Sequence, residues 1–314
     1  MEKLIELNDL LDTALFYGTN NLNMMCLKAQ FPSVRVVARG ATVKVSGADK
    51  ETARFEEVLR LCEHYCLQTG QLSEKTILQL IHGEMKTEAP AGNLILYGVH
   101  GKAVTARSGH QQQLLESYSR TDLMFAVGPA GSGKTYTAIA LAVRALKNKE
   151  VRRIILSRPA VEAGEKLGFL PGDMRDKIDP YLQPLYDALQ DMIPASKLNE
   201  FMERGTIQIA PLAFMRGRTL SDAVVILDEA QNTTIPQIKM FLTRLGINSK
   251  MIVTGDLTQI DLPPSQRSGL ADAVERLADT QGIAVIRFDD KDIVRHPLVG
   301  RIVKAYQSPT TPQD

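Results

Sequence analysis

The hydrophobic period changes twice along the chain. VRVVARG and ATVKVSG alternate apolar and polar positions on either side of Gly40, the pattern of a half-buried hairpin. KETARFEEVLRLCEHYCL, 50–67, then carries its apolar residues at helical spacing. LSEKTILQLIHGEM predicts a further helix, with Ser73 as N-cap and Glu74 in the first turn. Residues 1–85 therefore read as a small α+β module. TEAPAGN has the composition of a boundary, and 86–110 reads as a linker with two short strand-like runs, LILYGV and KAVTAR. Over 111–305 the pattern becomes continuous apolar runs alternating with helices: LMFAV, RRIILSR, TIQIAP, AVVILD, KMIVTG and IAVIRF. Runs without alternation are buried on both faces, which predicts an α/β architecture with a doubly wound, mostly parallel sheet. YQSPTTPQD, 306–314, reads as a flexible tail.

Chemistry gathers at the ends of those strands. GPAGSGKT, comprising Gly128, Pro129, Ala130, Gly131, Ser132, Gly133, Lys134 and Thr135, fits the G-x-x-x-x-G-K-[ST] loop, with a strand before it and a helix opening on Tyr136 after it. The glycines let backbone N–H groups turn toward phosphate oxygens, and the helix presents its positive end to the same anion. Lys134 is placed to reach the β and γ phosphates, and the Thr135 hydroxyl to ligate Mg2+. Asp228 closes AVVIL at the sheet edge where open α/β sheets bind ligands, making it the second candidate for holding the metal. Glu229 is placed to orient or deprotonate an attacking water. In MIVTGDLTQIDLP a strand again ends in polar residues, and the neutral amide of Gln259 suits a γ-phosphate oxygen, as does that of Gln231.

Composition narrows the field. The 314 residues include 37 basic and 36 acidic side chains, a net charge of +1, so no global field steers the chain to nucleic acid or membrane and any RNA contact has to be local. There is no Trp and few aromatics, against a base-stacking platform as the main device. Cys26, Cys62 and Cys66 are too few for a disulfide scaffold, and Cys62, His64 and Cys66 lack a second cluster to complete a zinc site. Buried thiols on a helix face are the simpler reading. MEKLIELNDLLDTALF has no basic n-region and no run approaches a membrane span, which predicts a cytoplasmic protein with no membrane partner.

Seven ordered blocks, GPAGSGKTYTA, SRPAVEAGEKLGFLPGD, PLAFMRGRTL, ILDEAQNTT, KMFLTRLG, TGDLTQIDLP and DIVRHPLVGRIVKAY, together resemble the PhoH-like ATPases over about two thirds of the chain. The resemblance implies a RecA-like P-loop core similar to the first motor domain of superfamily 1 helicases, with ATP and Mg2+ as cofactors. By the same likeness Gln111, with Gln112 and Gln113 beside it, matches the position that reads the adenine edge. Arg158 matches the position where such helicases contact nucleic acid or couple to it, and Arg216 and Arg218 fall at the end of another strand segment on the ligand edge; each is otherwise a solvated or ion-paired arginine. Too few residues follow TGDLTQIDLP for a second motor domain, so a transition-state arginine supplied in trans is expected, Arg295 first and Arg244 second. That predicts a homo-oligomer, with a hexameric ring as the family form. The N-terminal module is similar to a KH-like RNA-binding fold, although YGTNN has Gly18 and no second glycine at G-x-x-G spacing.

The sequence thus predicts a magnesium-dependent ATP hydrolase coupled to RNA processing or ribosomal RNA maturation, with an endoribonuclease of the YbeY type as the partner the resemblance implies. Two other readings stand beside it. One is a nucleotide-gated oligomeric scaffold that recruits a nuclease without remodelling RNA; the other is a P-loop kinase for a small acceptor, which has less need of Glu229, Gln231 and Gln259.

Overall fold

The structure, a computed structural model, describes residues 2–8, 11–83, 92–159 and 174–293. Two sheets with separate cores organise them. The first is antiparallel, ordered β1-β3-β2, from β1 (Glu2–Glu6), β2 (Arg35–Arg39) and β3 (Thr42–Ser46). Helices α1 (Thr13–Tyr17) and α2 (Leu22–Gln30) lie between β1 and β2 in sequence, and α3 (Asp49–Thr69) and α4 (Glu74–Ile81) follow β3. The hairpin turns at Gly40, as the alternation predicts, and Ser73 caps α4 by accepting the Thr76 N–H. The sequence pattern did not single out β1, whose only buried residue is Ile5. Cys62 and Cys66 lie in this module's core with Phe16, Leu27, Phe55 and Leu59. Burial pushes both thiols up to about 12, so they are inert apolar filling at neutral pH.

A two-stranded antiparallel hairpin, β4 (Leu94–Tyr97) and β5 (Ala103–Thr105), leads into the large sheet. There the elements run α5 (Gly109–Arg120), β6 (Leu123–Val127), α6 (Lys134–Lys147), β7 (Arg153–Arg158), α7 (Met174–Gln190), α8 (Ala195–Glu203), β8 (Ile207–Pro211), β9 (Ala223–Leu227), α9 (Ile235–Leu242), β10 (Lys250–Gly255), α10 (Gly269–Leu277) and β11 (Ile283–Arg287). The six strands are ordered β11-β6-β10-β9-β7-β8 and every pair is parallel.

Alternate residues of each central strand feed opposite cores, which is why the runs read as continuously apolar. Met124 and Ala126 of β6, with Val224 and Ile226 of β9, pack under α5, α6, α7 and α8; Phe125, Val225 and Val253 pack under α9 and α10. The sheet is therefore doubly wound. No helix among the described residues is long and apolar enough to cross a membrane.

Candidate active site

The loop after β6 owes its shape to glycine. Gly128 has φ 154° and Gly133 has φ 80°, and both are sterically closed. A Cβ on Gly128 would lie 2.4 Å from the Phe288 carbonyl oxygen, and one on Gly133 2.6 Å from Gln111 Nε2. Helix α6 begins at Lys134, so the unpaired N–H groups of its first turn open into the loop. Lys134 Nζ donates to the Gly128 oxygen at 2.8 Å and the Pro129 oxygen at 2.7 Å, keeping the ammonium inside the cradle. Burial lowers its pKa, and the charges of Asp256, Asp228 and Glu229 oppose that shift.

Strand register brings the acids to the same edge. Val127 is level with Gly255, and Val253 with Leu227, so the residues after β6, β9 and β10 emerge side by side. Asp228 is only 2% exposed. Its Oδ1 accepts from Thr135 Oγ1 at 2.6 Å and Thr254 Oγ1 at 2.5 Å, and its Oδ2 accepts from Arg158 Nε at 2.7 Å and Nη2 at 2.5 Å. Glu229 has φ 55°, a left-handed conformation unusual for a long side chain. Gln231 Nε2 donates to Glu229 Oε2 at 2.6 Å. A cavity of about 510 Å³ lies over these groups, lined by the loop, Tyr136, Arg158 and Gln259, by Asp187 and Ala188 of α7, and by Asp191 just after that helix. The Thr135 hydroxyl and Asp228 carboxylate are hard oxygen donors within one hydrogen bond of each other, a set that fits Mg2+ bound through few protein ligands.

The residues singled out by sequence fall into three groups. Gly128 to Thr135, Tyr136, Asp228, Glu229, Gln259 and Arg158 belong to one site, ten of them lining the cavity between Ala130 and Gln259. Gln111 lies beneath the loop, 5% exposed, with Nε2 donating to the Ser132 oxygen and Oε1 accepting the Arg107 N–H. In this conformation it braces the loop from behind. Gln231 is also buried, 1% exposed, and its amide bridges Glu229 and the Asp256 N–H instead of facing the cavity. Gln259 Nε2 donates to Asp256 Oδ2 at 3.0 Å. Both glutamines thus converge on Asp256, the buried Gln231 because its amide needs a partner inside the protein and Gln259 from the exposed turn that follows β10.

Arg216, Arg218 and Arg244 are not brought to the cavity. Arg244 closes the far end of α9, donating to the Met240 and Arg218 carbonyl oxygens. Arg218 donates to Gln208 Oε1, and Arg216 is exposed after a short 3-10 turn. Arg295 lies outside the described residues.

Two residues gain roles that spacing alone did not assign. Thr254 supplies the second hydroxyl to Asp228, and Asp256 latches the loop. Asp256 Oδ2 accepts the Ala130 N–H at 2.9 Å, while Oδ1 accepts from Thr258 N at 2.9 Å and Thr258 Oγ1 at 2.6 Å. Burial raises its pKa, but these hydrogen bonds and the Lys134 charge outweigh it and hold the carboxyl below its usual range. Only the adjacency of β10 to β6 reveals the latch.

A phosphate loop after β6 and an acidic pair after β9, with β10 inserted between their strands, define a P-loop NTPase of the RecA-like type. The family model described as "PhoH-like protein" matches residues 103–307, and the chain belongs to the PhoH-like family. It is 47% identical over 313 residues to a PhoH-like protein of Bacillus subtilis (strain 168), covering 97% of this chain and 98% of that one. It is 48% identical over 205 residues to Protein PhoH of Escherichia coli (strain K12), covering 65% of this chain and 58% of that one. Among solved structures it is similar to a Sulfolobus solfataricus SWI2/SNF2 ATPase core in complex with dsDNA, with 16% identity, TM-score 0.38, and 70% of this chain and 54% of that one covered. The Pif1 helicase of Candida albicans matches with 16% identity and TM-score 0.34 over 65% of this chain and 44% of that one. The chain thus spans about half the length of the solved structures it matches.

Proposed function

We propose that the protein hydrolyses ATP with Mg2+ at this site and couples the cycle to RNA processing. The observation that carries the ATPase half is the meeting of Lys134, Thr135 and Asp228 around one cavity, with Glu229 on its rim. The loop N–H groups and Lys134 would hold the β and γ phosphates, and Thr135 and Asp228 the metal. Magnesium held there would supply positive charge to offset the negative charge developing on the leaving oxygen. Glu229, half exposed and steadied by the Gln231 amide, is positioned to orient the attacking water and take its proton.

The RNA half rests on the family likeness and on the N-terminal module. Its β-α-α-β-β-α-α order has the loop 18–21 between α1 and α2. Gly18 takes φ 75° and Asn21 φ 61°, so asparagine, which tolerates the left-handed region, supplies the second positive φ that the sequence lacked as glycine. Leu22 and Met25 stand exposed beside the loop. Such a surface suits a single-stranded backbone with splayed bases. RNA, a YbeY-type endoribonuclease and further copies of the chain, arranged as a ring, are the proposed partners, on the strength of the resemblance.

The test is phosphate release from ATP, with and without structured RNA. Lys134→Ala should lower the rate by about 10²-fold or more, and RNA should raise the wild-type rate. Transfer of the labelled phosphoryl group to a small acceptor would mean a kinase. An RNA-insensitive rate combined with nucleotide-dependent sedimentation would favour the scaffold.

A further inference from the structure

Asp228 already has a cation. Its buried carboxylate is shared between two hydroxyls on Oδ1 and the Arg158 guanidinium on Oδ2, and the same guanidinium comes within 3.8 Å of Glu229 Oε1. The Arg158 side chain is 16% exposed and Asp228 is 2% exposed, so this ion pair is held away from bulk solvent, where charge–charge interactions are strong. β7 supplies it by register: Ser157 is level with Leu227, so Arg158, the last residue of β7, faces Asp228 across the strand boundary.

A carboxylate that binds metal has to be held at the right angle, and the two Arg158 hydrogen bonds to Oδ2 hold it. Arg158 also makes a bare divalent ion a poor ligand for Asp228. Two positive charges would arrive next to a third, and the acceptor sites of Asp228 are already taken by four hydrogen bonds. A metal that arrives with a triphosphate brings its own negative charge, which compensates the guanidinium.

We propose that Arg158 is a positioning residue that stands in for the metal at Asp228 and makes divalent-ion binding dependent on nucleotide. The proposal rests on the reading of the site as a magnesium–nucleotide site. It assigns Arg158 a role inside the nucleotide site, distinct from the nucleic-acid contact that the family likeness implies for it.

The experiment is Mn2+ binding to the full chain, followed by the paramagnetic resonance signal of free Mn2+, with and without a non-hydrolysable ATP analogue. Wild type should bind Mn2+ only weakly without nucleotide and tightly with it. Arg158→Gln should bind Mn2+ without nucleotide about 10-fold or more tightly than wild type, and Mn2+ alone should raise its melting temperature. Arg158→Lys should stay near wild type, because the charge is kept. Thr254→Val, which removes a neutral partner from the same carboxylate, should not raise nucleotide-free affinity. Arg158→Met, with a similar apolar stem, serves the same comparison if the Gln variant does not fold. Equal nucleotide-free affinity in wild type and the uncharged variants overturns the proposal while leaving the site reading intact. A wild type that gains no Mn2+ affinity from the nucleotide analogue overturns the site reading, and the proposal with it.

Discussion

At the scale of single residues, the site is built from shared acceptors. Asp228 and Asp256 stand at neighbouring strand ends, and between them they receive Thr135, Thr254, Arg158, Ala130, Thr258 and Gln259. The two acids have different tasks. Asp228 faces the metal position through Thr135, whereas Asp256 fixes the loop by accepting the Ala130 N–H. Asp256→Asn tests that division. Its amide can present a nitrogen or an oxygen to Ala130 but cannot reproduce a charged acceptor with all its present donors, and Lys134 loses a compensating charge. The expected outcome is a stability loss of about 1–3 kcal/mol in denaturant titration, together with a fall in ATP affinity. The sequence made the Lys134 loop and Asp228 legible because both follow fixed local grammars of strand, turn and helix. It left Thr254 and Asp256 without roles because their partners are 26 and 126 residues away, and only strand order brings them together.

At the scale of elements, α6 joins two environments. Its N-terminus carries Lys134 in the phosphate loop; its C-terminus ends at Lys147, whose Nζ donates to the Tyr97 oxygen at 2.6 Å, while Asn8 Nδ2 caps the Lys147 carbonyl at 3.0 Å. The helix therefore runs from the nucleotide site to the N-terminal module. Its far end is electrostatically costly: burial lowers the Lys147 pKa to about 8, against 10.5 for an ordinary lysine. Unfolding restores the higher value, so between about pH 8 and 10.5 the unfolded chain binds more protons and the native state gains stability as pH rises. Below pH 8 both states are protonated and the native state carries the full cost. Lys147→Met should flatten this rise. Relative to the variant, wild type should gain roughly 1–3 kcal/mol across that window, measured as unfolding free energy at a series of pH values. Parallel curves for the two proteins would show that the ammonium is hydrated. Helix patterning revealed α6 from sequence, but Lys147 reads there as an ordinary basic C-terminal residue, since its burial comes from β4 and α3.

At the scale of the whole molecule, two separately cored parts meet across a row of close backbone contacts. The turn of the β4–β5 hairpin lies between α3 and the end of α7. On one side a Cβ on Gly70, the C-cap of α3, would lie 2.6 Å from Gly101 Cα; on the other, a Cβ on Gly98 would lie 2.4 Å from the Asp191 oxygen. Val99 N also donates to that same Asp191 oxygen at 3.0 Å. Asp191 lines the nucleotide cavity, where its carboxylate accepts from Tyr136 Oη at 3.3 Å. The hairpin thus touches the N-terminal module with one face and the wall of the active site with the other, and backbone-to-backbone packing cannot relax by a rotamer change. Gly98→Ala should cost about 1–3 kcal/mol of stability and weaken nucleotide binding through displacement of Asp191, although no atom of residue 98 lies on the cavity. Gly92→Ala, where a Cβ meets nothing within 4 Å, is the matched control and should stay within about 0.5 kcal/mol of wild type. Fluorescent-nucleotide titration of the two variants reads the difference. If Gly98→Ala loses stability yet binds nucleotide as wild type does, the hairpin is a mechanical spacer between the two parts, and nucleotide binding does not depend on its contact with Asp191.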